Sequence, residues 1–95
     1  MYYRITHLAF DPNKYDALMA HADSVKDQMR AIEGLIFTHM FRAGEDELGV
    51  VARWESLAAL EAGQQEINNV MGGMAQFLTS TPKQEMGEVI WRTDD

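Results

Sequence analysis

Gly49-Val50-Val51-Ala52-Arg53-Trp54-Glu55-Ser56-Leu57-Ala58-Ala59-Leu60 decides the fold of this chain. Its first half is β-branched and aromatic, Val50 to Trp54, and reads as a strand. Ser56 is a natural helix N-cap, because its hydroxyl accepts a hydrogen bond from a free N–H of the first turn. The pattern then turns helical, with Leu57, Leu60, Gln64, Ile67, Met71, Met74 and Leu78 in one stripe. A strand therefore runs straight into a helix.

The same alternation appears upstream. Tyr2 to Phe10 predicts a first strand, with Tyr3, Ile5, His7 and Ala9 on one face and Tyr2, Arg4, Thr6, Leu8 and Phe10 on the other. Neither face is purely polar, which predicts a central strand covered on both sides. Asp11-Pro12 opens a helix: Asp11 caps it, and Pro12 gives up an N–H that has no partner there anyway. Its stripe is Tyr15, Leu18, Met19, Ala22, Val25, Met29 and Ile32, and Gly34 ends it. Leu35 to Arg42 predicts a second strand, with Phe37, His39 and Phe41 on one face and Ile36, Thr38, Met40 and Arg42 on the other. The turn Gly44 to Glu47 joins it to the third strand as a hairpin of open register. Downstream, Asn68-Asn69 and Gly72-Gly73 predict a break near 69–73, since each glycine costs about 1 kcal/mol inside a helix. Thr79 to Pro82 reads as a linker, and Gly87 to Arg92 as a last strand.

The resulting order, strand-helix-strand-strand-helix-strand, is the α+β ferredoxin-like βαββαβ arrangement, a four-stranded antiparallel sheet with two helices on one face. The other face still carries large apolar side chains. Left wet, it exceeds the apolar patch a monomer tolerates. Burial against a second copy by a twofold axis is the simplest remedy, which predicts a homodimer through the sheet face.

Composition narrows the partners. The 95 residues make a single domain. Acids outnumber bases 15 to 8, and a net charge of −7 argues against nucleic acid and anionic lipid. Arg4 and His7 inside the first apolar run are unlike a signal peptide. No apolar run approaches the ~20 residues of a membrane span. With no cysteine there is no disulfide or thiolate metal site, which fits a cytoplasmic location. No HxH, HxxxH or HExxH spacing marks a metal site, and no dinucleotide or phosphate loop is present.

Element order, the run Ile32-Glu33-Gly34-Leu35 and the run Trp54 to Leu60 together resemble the dimeric α+β barrel proteins, in particular the antibiotic-biosynthesis monooxygenase-like family. The resemblance spans nearly the whole chain. It implies two sheets paired face to face and a ligand cleft between the sheet and helices of one subunit. It implies cofactor-independent oxygenation of phenols or quinols in some members, haem degradation in others and no known activity in many. Many members place a histidine on the second helix where this chain has Gly63, and the asparagine and histidine of the haem-degrading members are missing here. Oxygenation without metal, flavin or haem asks less of the protein. A phenolate supplies the electrons, and the site binds it, stabilises its charge and excludes water.

Candidate catalytic residues are His7 and His39, as base or anion holder, and Arg4 and Arg53, as charge stabilisers. The plainer reading makes the histidines core or interface residues and the arginines partners of nearby acids. Trp54, Phe37, Tyr3, Met74 and Phe77 are candidate ligand contacts, or ordinary core and interface. His21 reads as a surface residue. Two functions stay open: a monooxygenase-like dimer that binds a small apolar or aromatic ligand, and a non-catalytic binding or dimerisation module.

Overall fold

The computed structural model describes residues 1–95. Strand β1 spans Tyr2–Ala9, helix α1 Tyr15–Ser24, helix α2 Lys26–Arg30, strand β2 Leu35–Gly44, strand β3 Glu47–Trp54, helix α3 Leu57–Gly72 and strand β4 Lys83–Glu88. Short 3-10 turns cover Pro12–Lys14 and Ala75–Phe77. The strands form one antiparallel sheet in the order β2-β3-β1-β4. This is the α+β ferredoxin-like order, and β1 is central as its two apolar faces require.

The capping residues act as read. Ser56 accepts from Ala59 N at 3.0 Å, and Asp11 accepts from Asn13 N at 3.0 Å. Gly34 turns the chain at φ 83°, a conformation open to glycine at no steric cost. The first helical segment differs from the single helix expected between Asp11 and Gly34. It opens as a 3-10 turn, and Val25 (φ −104°, ψ 3°) separates α1 from α2. The Ser24 hydroxyl donates to His21 O at 2.6 Å just before the interruption, sharing that carbonyl with Val25 N. The break expected near 69–73 falls at the glycine pair, with a 3-10 turn beyond it, and the asparagine pair itself does not break α3. Gln64 donates to Asn68 at 2.8 Å and Gln65 to Asn69 at 3.2 Å, so these amides brace the helix, and it ends only at Gly73.

The last strand corrects the sequence reading. It is Lys83–Glu88, not Gly87 to Arg92. Thr79 N bonds to Ala9 O at 3.0 Å and Phe10 bridges Leu78, so the chain already meets the end of β1 where the linker starts, and the ladder runs from Lys83. It runs out when Tyr2 meets Glu88. Beyond that, Val89 N reaches Met1 O, and Ile90 and Trp91 are 91% and 78% exposed. The alternation of Val89 and Trp91 has no neighbouring strand to pair with. The polar β4 instead makes a charged edge, which discourages further strand addition.

The helices cover the face carrying Arg4, Thr6 and Leu8. Two clusters fill the space: Leu8, Phe10, Leu18, Leu48, Met74 and Phe77, then Ile32, Ala52, Trp54, Leu60 and Ile67. A bulge between Leu35 and Phe37 lets Leu35 pair with Trp54 and join the second cluster, although alternation alone puts it on the opposite face. The open face carries Tyr3, Ile5 and His7 of β1, Val51 and Arg53 of β3, and Phe37, His39 and Phe41 of β2. No helix covers it, and Phe41 is 49% exposed.

The C-terminal segment is pinned at the end of this face. Asp94 accepts from Arg92 Nε at 2.8 Å and lies 3.7 Å from Arg53 Nη1. The Arg92 hydrogen bond holds the Asp94 carboxyl below its ordinary value of 3.8. A depressed folded pKa means the contribution is present above the unfolded value and is lost as pH falls through the folded one. Trp91 fluorescence and the amide signals of the segment should therefore hold steady from neutral pH down to that value and change below it. Asp94→Asn should show the released signals at every pH.

Candidate ligand site

The site is built where β1, β2 and β3 face the helices. Arg4 and Thr6 come from the middle of the central strand, Thr38 from β2, and Val50, Ala52 and Trp54 from β3. Met29 of α2 and Ile67, Val70 and Met71 of α3 close it, and Gln84 of β4 stands at its side. These residues line a chamber of about 50 Å³. A wider cleft of about 590 Å³ lies beside it, between the sheet, α1, α2 and the end of α3. Met29, Thr38, Val50, Val70 and Met71 line both, so the chamber is the inner end of the cleft. The cleft is mainly apolar, with Asp23, Lys26 and Arg30 among its lining.

The chamber's polar atoms are unusual. Arg4 is 6% exposed and Trp54 0%. Arg4 Nε, Thr38 Oγ1 and Trp54 Nε1 are buried and have no hydrogen-bond partner. Only a few such groups are expected per hundred residues, and each unpaired one costs about 1–3 kcal/mol. Here three of the four in the chain line one chamber; the fourth is His21 Nε2. Arg4 Nη1 donates to Gln64 Oε1 at 3.1 Å, and Gln64 is held in turn by Asn68. None of the chain's four ion pairs includes Arg4. Burial pushes its pKa below the ordinary arginine value, yet a guanidinium stays cationic at neutral pH. The chamber thus holds a buried cation with a neutral partner and no counter-ion.

The structure divides the expected site residues between the two faces. Arg4 and Trp54 line the chamber, Met74 the cleft, and Phe37 the cleft mouth beside the bulge. Phe77 is core, packed with Leu8 and Met74. Tyr3, His7, His39 and Arg53 belong to the open face, where His7 sits opposite Gly49 and His39 opposite Val51. Strand β3 lies between the two histidines, so they are not cross-strand neighbours. Phe37 and His39 stack with ring centroids 4.4 Å apart. Arg53 bonds to the Met1 sulfur and faces Asp94. The four catalytic candidates therefore do not converge on one point, and Arg4 alone of them reaches the cleft. Cross-strand register, set by the pairing and not by alternation within a strand, separates them.

His21 is not the surface residue expected. Its ring lies 6.0 Å from that of Phe77 and packs on Gly73, where the first helix meets the end of α3. Sequence reading also missed Thr38 and Gln64 as site residues. Gln64 left a signal, being the one polar residue in the apolar stripe of α3. Thr38 left none, since a strand threonine is ordinary.

A sequence model of one family, antibiotic biosynthesis monooxygenase, matches residues 1–66. The chain belongs to the antibiotic biosynthesis monooxygenase family. Solved structures with the same fold include a Mycobacterium tuberculosis protein, 21% identical with a TM-score of 0.78, the match covering 98% of each chain. A Nitrosomonas europaea protein of unknown function is 20% identical, with a TM-score of 0.81 over 97% of this chain and 91% of the other. An antibiotic biosynthesis monooxygenase is 12% identical, with a TM-score of 0.79 over 95% and 99%. No curated protein sequence matches the chain.

Gly63, the position at which the resemblance implies a helix histidine, lies against Trp54. A Cβ placed there would lie 2.6 Å from Trp54 Cη2 and 2.7 Å from Cζ3. In this member the tryptophan ring has taken the space next to the helix backbone.

Proposed function

We propose that this chain is a monooxygenase-like homodimer that binds a small, largely apolar or aromatic ligand of the phenol or quinol type between sheet and helices. The observation that carries the reading is the apolar cleft ending in a chamber whose lining includes three residues with buried, unpartnered polar atoms. The cleft takes the ligand's rings, and the chamber takes an oxygen. Arg4 and Trp54 then hold that oxygen, with Met74 contacting the apolar body. The Arg4 charge favours the ionised ligand, because an opposite charge at close range lowers an acid's pKa.

Cofactor-independent oxygenation follows from such binding. The ring carbon para to the phenolate oxygen, a CH2 in the keto tautomer, is left with one hydrogen on ionisation; it gives electrons to O2 and forms a hydroperoxide, and loss of water leaves a carbonyl. The CH2 has lost four electrons, one oxygen atom stays on the ligand, and the other leaves as water. The protein's part is to bind the anion and exclude water. The non-catalytic reading has one observation in its favour: His7 and His39 lie on the open face, so neither supplies a base to the cleft. We place the protein in the cytoplasm, in keeping with its lack of cysteine.

Dimerisation rests on the uncovered sheet face, where Tyr3, Ile5, Val51 and Phe37 surround the exposed His7 and His39. In this dimer His7, His39, Tyr3 and Arg53 are interface residues. Sedimentation should give twice the chain mass of 10.8 kDa. Val51→Glu, which puts a charge at the centre of that face, should give the monomer. A wild-type monomer would remove the dimer from the proposal.

The enzyme reading is tested by oxygen uptake with quinols and phenols. Uptake that Val50→Trp abolishes by filling the cleft supports it. Ligand binding with no uptake across the panel leaves the non-catalytic binding protein.

A further inference from the structure

The chamber identifies the ligand more closely than its apolar cleft does. At about 50 Å³ it is too small for a ring, since an apolar cavity that takes benzene is roughly 150 Å³. It admits a headgroup. Arg4 Nη1, bonded to Gln64, is the guanidinium nitrogen that points away from the Nε–H, so the Nε/Nη2 edge stays open. That edge is a two-pronged donor whose spacing matches the oxygens of a carboxylate. Trp54 and Thr38, whose Nε1 and Oγ1 likewise have no partner, belong to the same lining. An ionised carboxylate offers about four lone-pair sites and no donor. It satisfies such a set and supplies the counter-ion that Arg4 lacks within the protein.

We infer that the ligand is a carboxylic acid with an apolar or aromatic body, bound with its carboxylate on the open edge of Arg4 and its body in the cleft. The inference rests on the cleft being the ligand site, as proposed above. A primary amide of the same shape is the informative comparison. It brings an NH2 donor to a chamber of donors and leaves the buried cation unpaired.

The test uses the full chain with three probes: 2-naphthoate, 2-naphthamide and 2-naphthol. Binding is followed by the indole N–H signals of ¹⁵N-labelled protein, where Trp54 reports the chamber and the exposed Trp91 is an internal control. The expected result is that naphthoate binds roughly tenfold or more tightly than naphthamide, in line with charge-assisted hydrogen bonds being about twice as strong as neutral ones. It shifts the Trp54 N–H and leaves that of Trp91 in place. Arg4→Met, which keeps the stem's length and packing, should bring the acid down to the amide's affinity. If that variant does not fold, the wild-type comparison of acid with amide decides alone.

Equal binding of acid and amide overturns the carboxylate and leaves the cleft reading standing. Tighter binding of naphthol than of naphthoate, with the Trp54 shift, also overturns it and assigns the chamber to a phenolate. A Trp54 signal unmoved by all three probes overturns the inference and the cleft reading together.

Discussion

Trp54→Ala should destabilise the protein by about 3–5 kcal/mol, the range for emptying a buried large aromatic site. Trp54 is fully buried at the end of β3, where Leu35, Ile32, Leu60, Ile67 and Ala52 share its cluster. A domain of this size has a total stability of about 5–14 kcal/mol at ordinary values per residue. The variant should therefore lose much of its cooperative urea transition, with the midpoint shifted far down at unchanged slope. Trp54→Phe separates ring from donor. It keeps most of the packing and removes an N–H that has no partner in the free protein. Its cost should be about 1 kcal/mol or less, as for other near-conservative core swaps, while ligand affinity falls. If Trp54→Phe proves as destabilising as Trp54→Ala, the indole nitrogen has a structural partner, and the chamber loses one of its three free donors.

Gly63→His should cost about 3 kcal/mol or more, at or above the usual range for overpacking. A histidine does not fit at this position. Besides the two Trp54 ring atoms, Ile32 Cγ2 lies 3.2 Å from the position of a new Cβ, and the ring has no exposed end to swing away. Gly63→Ala gives the cleaner measurement. Helix propensity favours alanine by about 1 kcal/mol, so a net loss of stability shows that crowding wins. Gly72→Ala is the control, because nothing lies within 4 Å of its Cβ position. It should leave stability unchanged or raise it slightly. Combining Gly63→His with Trp54→Ala makes room for the new side chain, so the pair should cost less than the sum of its parts. Additive losses would mean that the two residues do not compete for space.

Much of the candidate site was present in the sequence as residues and absent as an arrangement. Arg4 and Trp54 could be picked out because a charge inside an apolar strand and a tryptophan at a strand end are conspicuous. His7 and His39 are as conspicuous as Arg4 but fall on the open face, away from the cleft. The period of two says that His7 and Arg4 lie on opposite faces, but not which face the helices take. That choice belongs to the packing of Leu18, Met74 and Phe77 onto Leu8 and Leu48. The free donors could not be read at all. A donor is unpaired only by what surrounds it, and its surroundings come from six separate elements.

The sequence by itself determined what is local: the Ser56 and Asp11 caps, the turn at Gly34, the hairpin between β2 and β3, and the element order that defines the fold. Each rests on residues a few positions apart, whose conformations are limited by sterics and short-range hydrogen bonds. The tertiary structure decided the rest. It made a strand of Lys83–Glu88, a polar run with little β propensity, because β1 had an unpaired edge for it. It left Ile90 and Trp91 outside the sheet, where no strand remained to pair with them. It gathered Arg4, Thr38 and Trp54 around one small chamber, because pairing partners and helix packing are set by burial of the whole apolar surface and not by any one segment.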